Sequence, residues 1–314
     1  MVLSLSAEDI RSVANWPLVI EAMRDGHRLP RAKVGDTFVG GAGNTMLVRS
    51  AWIDGLAAGV KAATVVPENP NRSEPLPSVH AQVMLFSHET GQLTALLDGT
   101  EVTAWKTAGD SALGCDLLAR KDAKTLLMVG AGAMAEPLIR AHLSVRPALK
   151  KILLWNRSPD RVETLKQKLA DLDQEVEIVA SPEEGASAAN IISCATMSVD
   201  PVLMGKWISP GCHVDLVGAF KADMREADDE LHSRASWFVD SVDTTLHHIG
   251  ELKIPFEQGL INEQSIKGDL NDLVAEKAGR SSDDEITVFK NGGGAHLDVM
   301  VCNALAKAFA ETQQ

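Results

Sequence analysis

The sequence predicts an α/β protein built around a doubly wound parallel sheet, joined to a second domain of mixed α+β character. Three observations carry that expectation. Apolar runs recur at 125–129, 151–155, 175–180, 191–195 and 213–217, each separated from the next by a helix-like segment. The first of these runs ends in Gly130-Ala131-Gly132-Ala133-Met134-Ala135, a G-x-G-x-x-A turn that opens a helical pattern at Leu138, Ile139, His142 and Leu143. The first ~120 residues lack this alternation and read instead as strands joined by turns.

Taken in chain order, 60–66, 81–86 and 93–97 are strand-like, with turns at Pro67-Glu68-Asn69-Pro70 and His88-Glu89-Thr90-Gly91. They suit an antiparallel or mixed sheet. Residues 103–119 form a helix with Ala104, Ala108, Ala112 and Leu113 on one face, leading into the parallel sheet. Within that sheet Ser158-Pro159 and Ser181-Pro182-Glu183-Glu184 read as helix starts, serine at the N-cap and proline at the first helical position. A helix around 227–234 precedes a short strand at 237–240. After Phe289-Lys290-Asn291 and three glycines, a last helix runs to about Ala308 and can return to the first domain. The expected division is therefore 1–120 plus 296–314 for one domain and 121–295 for the other, inserted domain.

The composition excludes several classes of function. At 314 residues the chain is long enough for two domains, and its net charge of −13 argues against a nucleic-acid or anionic-membrane partner. No basic leader precedes an apolar core, and no run approaches ~18 apolar residues, so a soluble cytoplasmic protein is expected. The four cysteines (Cys115, Cys194, Cys212, Cys302) have no metal-ligand spacing and read as small buried hydrophobes. His247 and His248 have no ligand partner at suitable spacing either, so no metal is expected.

The glycine turn carries the cofactor expectation. Gly130 permits the tight turn, Gly132 lets backbone approach a pyrophosphate, and Ala135 lets helix and strand pack closely; Ala133 and Met134 lie between them. The helix N-terminus offers amides and a partial positive charge to the phosphates. This is the fingerprint of a Rossmann-type NAD(P) domain. The next strand ends in Trp155-Asn156-Arg157-Ser158, with none of the acids that would bond an NAD ribose. Arg157 suits a 2′-phosphate, flanked by the donors Asn156 and Ser158, so NADPH is the expected cofactor, with NADH as the alternative. Ser158 also reads as a helix cap, and the two roles are compatible.

Three cations of the first domain stand out. Lys61 interrupts an apolar strand; either it faces solvent, as strand alternation allows, or that face lines a polar cavity. Lys106 near a helix start has an ordinary explanation in an i,i+4 pair with Asp110, but a positive charge in the first turn opposes the helix dipole, which mildly favours a functional reason. Arg31 lies in the loop Leu29-Pro30-Arg31-Ala32-Lys33. His80 opens a strand and reads as structural; His296, after the glycine run, caps the last helix or faces a ligand.

An ordered series of motifs then resembles one family over nearly the whole chain. It comprises Gly59-Val60-Lys61, Val66-Pro67-Glu68-Asn69-Pro70, Leu85-Phe86 with Thr90-Gly91, Leu96-Leu97-Asp98-Gly99 and Lys106-Thr107-Ala108. Val129-Gly130-Ala131-Gly132, Ser193-Cys194-Ala195-Thr196, Val217-Gly218-Ala219 and Phe289-Lys290 complete it. The chain resembles the ornithine cyclodeaminase/mu-crystallin family, and most of all its ketimine reductase branch.

The resemblance implies a small amino or cyclic imino acid substrate whose carboxylate is held by Arg31, Lys61 and Lys106, the two lysines serving as catalytic residues. It places Thr107, Cys194, Ala195, Thr196, Val217 and Gly218 at the cofactor. It also implies a homodimer formed through the first, substrate-binding domain. Two departures matter. The family's usual arginine is Lys106 here, which keeps charge but loses the bidentate fork. Where cyclodeaminases carry an aspartate, Phe220 stands, which accepts no proton and packs instead over an apolar ring; Asp223 lies three residues on. The resemblance thus implies NADPH-dependent reduction of Δ1-pyrroline-2-carboxylate to L-proline, or of the six-membered Δ1-piperideine-2-carboxylate to L-pipecolate. The other readings are ornithine cyclodeaminase, an amine dehydrogenase, and a non-catalytic crystallin-like binder of NADPH or a small ligand.

Overall fold

A computed structural model of the chain describes residues 2–41 and 43–313. Two units are distinguished: Met1–Lys106 with Gly294–Gln314, and Thr107–Gly293. The first is built from β1 (Leu3–Leu5), α1 (Ala7–Val13), α2 (Trp16–Arg28), β2 (Lys33–Gly40), β3 (Thr45–Ile53), β4 (Ala57–Val65), β5 (Val79–Phe86) and β6 (Leu93–Asp98). Its six-stranded sheet runs β1-β6-β5-β4-β3-β2, antiparallel throughout except for the β1–β6 pair.

The sheet extends the sequence expectation by the strands β1, β2 and β3. β2 escapes a periodicity reading because it is an edge strand whose eight residues are all exposed, so no buried face imposes alternation.

α3 (Gly99–Leu118) starts in the first unit and continues into the second. The division falls at 106/107, inside this helix, rather than at 120/121. From Ala108 to Cys115 every residue is buried, so the helix has no single apolar face. Small residues permit that burial; a Cβ on Gly114 would lie 2.6 Å from the Phe289 ring.

The second unit continues with β7 (Thr125–Val129), α4 (Ala135–Val145), β8 (Lys151–Trp155), α5 (Pro159–Lys168), β9 (Glu175–Ile178), α6 (Pro182–Ala188), β10 (Ile191–Cys194) and β11 (His213–Leu216). It closes with α7 (Asp229–Arg234), β12 (Ala235–Val239), α8 (Val242–Thr245), α9 (Gly250–Glu257), β13 (Ile266–Asp269), α10 (Leu270–Val274) and β14 (Ile286–Lys290). All eight strands are parallel, in the order β13-β12-β14-β11-β10-β7-β8-β9. This is a Rossmann-type sheet. The chain runs outward from β7 to β9, then returns to lay β10 and β11 on the other side, so a topological switch lies between β7 and β10. Ligands of such sheets bind at the strand C-termini beside that switch.

The core explains the strand assignment: Leu126, Leu127, Met128 and Val129 are fully buried, each worth about 1.5–3 kcal/mol of apolar transfer. Ser181 caps α6 through the Glu184 amide at 3.1 Å.

The last helix, α11 (Ala295–Thr312), belongs to the first unit and packs on α2, β3 and β4. Two close approaches require glycine. A Cβ on Gly59 of β4 would lie 2.7 Å from Val299, and one on Gly26 of α2 would lie 2.5 Å from Met300. No helix among the described residues is long and apolar enough to cross a membrane. The four cysteines are free and buried; burial pushes the Cys115 and Cys212 thiols up to about 12, which leaves them unreactive.

Candidate active site

In the first unit a strand face and a helix turn build a buried cationic cluster. Strand alternation puts Gly59, Lys61 and Ala63 on the face of β4 that meets α11. Lys61 is only 8% exposed, so the solvent-facing alternative is excluded. Its Nζ donates to Asp298 Oδ1 at 3.1 Å and to the Thr103 hydroxyl, which in turn donates to the Gly99 carbonyl at 2.6 Å. Thr103 and Lys106 are three residues apart on α3, so Lys61 is anchored on the side of the helix that carries Lys106, itself buried.

Arg49 of β3 is the cross-strand neighbour of Lys61 and pairs with Asp36 at 2.9 Å. His296, at the start of α11, meets the His27 ring edge-on with centroids 5.4 Å apart. Burial holds its pKa well below the usual histidine range, reinforced by His27, Lys106 and Arg49, so it is neutral at physiological pH. Arg31 is exposed in the segment between α2 and β2, outside this buried set, and His80 is exposed on β5. Ammonium groups fixed in a low-dielectric pocket hold an anion more strongly than the same groups in water.

In the second unit the glycine turn has the geometry that its sequence demands. Gly130 has φ +110°, and a Cβ there would stand 2.7 Å from the Ala195 carbonyl oxygen. Gly132 is different: a Cβ would meet nothing within 4 Å, leaving open space beside the backbone. The Ala135 amide bonds the Gly132 carbonyl at 3.1 Å, while the amides of Gly132, Ala133 and Met134 donate to no backbone carbonyl among the described residues. Open space, free amides and a helix N-terminus together fit the pyrophosphate of a dinucleotide.

At the end of β8, Asn156 Nδ2 donates to the Ser158 carbonyl at 3.1 Å, and Arg157 is exposed. Ser158 occupies the N-cap of α5, but its hydroxyl makes no capping bond.

The loops after β10 and β11 are joined by one buried carboxylate. Glu226 Oε1 accepts from the Thr196 amide (2.7 Å) and hydroxyl (2.8 Å); Oε2 accepts from the Gly218 amide (2.6 Å) and the Ala219 amide (3.3 Å). Glu251 sits behind it, accepting from the amides of Glu226 (2.6 Å) and Ala227 (3.1 Å). Burial pushes both carboxyls up, Glu251 to about 7, while Lys290 and the donors around Glu226 act the other way. Lys290 Nζ is itself fixed by the carbonyls of Leu216 and Asn291, each at 2.8 Å. Asn291 in turn donates to the Thr107 carbonyl and the Ser111 hydroxyl of α3, both at 2.9 Å. Cys194, Ala195, Val217 and Gly218 therefore belong to a braced edge. Phe220 projects from it at 56% exposure, and Asp223 is exposed on the same loop.

Residues 31–312 match the model of the ornithine cyclodeaminase/mu-crystallin family. The chain belongs to that family. Among family members it is 47% identical over 307 residues to Delta(1)-pyrroline-2-carboxylate reductase of Paracoccus denitrificans, covering 98% of this chain and 96% of that one. The structure of Thermococcus litoralis Delta(1)-pyrroline-2-carboxylate reductase in complex with NADH and L-proline superposes with a TM-score of 0.91 at 30% identity, covering 99% and 98% of the two chains. The iminosuccinate reductase of Paracoccus denitrificans in complex with NAD+ superposes equally well, TM-score 0.91 at 27% identity, over 99% and 97%.

Several residues of this candidate site escape a sequence reading. Arg49 and Asp298 carry no local signal, since strand pairing and a helix packed from the far end of the chain bring them to Lys61. Glu226 lies in the charge run Arg225-Glu226-Ala227-Asp228-Asp229-Glu230, just ahead of the helix expected around 227–234, where nothing local marks one carboxylate from its neighbours. Among the described residues no group of three or more His, Cys, Asp or Glu could hold a metal ion.

Proposed function

We propose that this chain is an NAD(P)H-dependent reductase of small cyclic imino acids, with Δ1-pyrroline-2-carboxylate giving L-proline as its first reaction. The observation that carries this reading is a pair of buried lysines, Lys61 of β4 pinned by Asp298 and by Thr103 of α3, and Lys106 one turn along α3 from Thr103. A non-catalytic binder has no need of such an anion holder. The full-length relationship to the Paracoccus and Thermococcus reductases supports the same chemistry.

In this reading Lys61 and Lys106 hold the substrate carboxylate and orient the ring, and Arg31 adds a third cation from its loop. Phe220 packs on the apolar ring carbons and excludes water from the imine. Gly130, Gly132, Ala133 and Met134 hold the pyrophosphate, and Asn156, Arg157 and Ser158 hold the adenosine ribose. Thr107, Cys194, Ala195, Thr196, Val217 and Gly218 line the nicotinamide half. When bound, the cofactor supplies the hydride for the C=N carbon. The two units thus divide the work: the first binds substrate, the second the nucleotide.

NADPH is the preferred form in this proposal, because no acid ends β8 and Arg157 stands exposed beside the uncapped hydroxyl of Ser158. The test follows NADPH and NADH oxidation by absorbance with Δ1-pyrroline-2-carboxylate, beside ornithine plus NAD with ammonia detection. Rapid oxidation without ammonia from ornithine is expected. Ammonia release would assign the cyclodeaminase reaction instead, with Asp223 supplying the carboxylate. Arg157→Asp is expected to lose the NADPH preference; an unchanged cofactor ratio would return Arg157 to the solvated surface.

A second copy of the chain is the proposed protein partner, and the cytoplasm the proposed compartment. The edge strand β2 and its neighbour β3 expose Phe38, Val39, Met46 and Trp52, with Phe38 at 70%. Such an apolar edge marks an interface. Light scattering should give twice the 33.6 kDa of one chain; the mass of a single chain would refute the dimer.

A further inference from the structure

We propose that Glu226 is a positioning residue, whose single carboxylate locks the loops after β10 and β11 into one rigid element and so sets where Met197 and Phe220 stand. The proposal rests on the reading that these loops line the nicotinamide half and the substrate ring.

Each carboxylate oxygen serves a different loop, Oε1 the Thr196 amide and hydroxyl, Oε2 the Gly218 and Ala219 amides. Three of these groups are amides that only donate, and the Thr196 hydroxyl is turned to donate as well, so the bridge is matched to the two accepting oxygens of a carboxylate. The loops touch closely enough to move together: a Cβ on Gly218 would fall 1.7 Å from the Thr196 carbonyl oxygen. Beyond this clasp each loop presents an exposed apolar side chain, Met197 at 76% and Phe220 at 56%. Exposed apolar groups on flexible loops would collapse onto the nearest surface. On a braced edge they keep their place and stay available to a ligand.

The brace is itself supported. Glu251 accepts from the backbone of Glu226 and Ala227, fixing the segment from which the carboxylate projects. Lys290, bonded to the carbonyl that ends β11, brings the compensating positive charge. Glu226 touches neither proposed ligand in this arrangement and acts through the loops it holds.

Glu226→Gln provides the test. Glutamine has one accepting oxygen and one amide nitrogen that only donates, so it can hold one loop and must repel the other. Hydrogen exchange should show loss of protection at the Thr196 amide or at the Gly218 and Ala219 amides. With it, NADH affinity and kcat with Δ1-pyrroline-2-carboxylate should each fall roughly tenfold to a hundredfold, the scale of a lost charge-assisted hydrogen bond. Should this variant not fold, Thr196→Val removes only the hydroxyl donor. It should raise exchange at Gly218 and Ala219, on the opposite loop, while Thr196→Ser restores wild-type protection.

A lower melting temperature with unchanged kcat and NADH affinity would make Glu226 a stability residue only and overturn the proposal. So would Thr196→Val effects confined to its own loop. A wild-type chain without imine reductase activity would refute the function proposed above, while exchange and NADH binding would still decide the bridge.

Discussion

Replacing Lys61 by methionine is expected to lower kcat/KM for a cyclic imino acid roughly 10- to 150-fold, the loss of about 1.5–3 kcal/mol that a charge-assisted hydrogen bond to the carboxylate contributes. The structure adds a second consequence. Asp298 is almost fully buried, and Lys61 is its ion-pair partner at 3.1 Å. Removing one member of a buried pair strands the other charge, at a cost of about 3–5 kcal/mol. Lys61→Met should therefore melt well below the wild type as well as turn over slowly.

The double variant Lys61→Met with Asp298→Asn separates the two effects. It removes the stranded charge, so most of the stability should return, while kcat/KM stays low because no cation has been restored. Thermal unfolding beside steady-state kinetics measures both. Full kinetic recovery in the double variant would mean that Lys61 acts through the fold alone, and the carboxylate-holding role would fall.

Gly218→Ala is expected to produce the largest loss from a single methyl group, about 3 kcal/mol or more of stability together with the cofactor site. The added Cβ would stand 1.7 Å from the Thr196 carbonyl oxygen and 2.4 Å from its nitrogen. Both neighbours are backbone, and Glu226 prevents that backbone from yielding. Gly132→Ala is the informative contrast. Its Cβ meets no protein atom, so the variant should melt with the wild type. The methyl group would occupy the space offered to a pyrophosphate, so NADH binding should weaken by tenfold or more, on the order of 1.4 kcal/mol. Calorimetry and NADH fluorescence titration distinguish the pair. Wild-type NADH affinity in Gly132→Ala would place the nucleotide elsewhere.

The fold was legible where its causes are local. Alternating apolar runs and helix segments mark a parallel sheet because a strand buried on both faces must be continuously apolar. The turn at Gly130 to Ala135 reads directly, since φ +110° and an open backbone are properties of the residues themselves. The edge strand β2 did not read, because an unburied strand has no pattern to display.

The same line divides the site. The family resemblance, the glycine turn and the unusual placing of Lys61, Lys106 and Phe220 could be read from the residues alone. The sequence left open whether Lys61 faces water, and it concealed Arg49, Asp298 and Glu226. Packing settled these, since Lys61 meets Asp298 across 237 residues of chain. One charge run in the sequence became a buried clasp because four donors from two loops converge on Glu226. A carboxylate is stable out of water only when such donors replace its hydration, and which donors arrive is settled by packing rather than by neighbours in the chain.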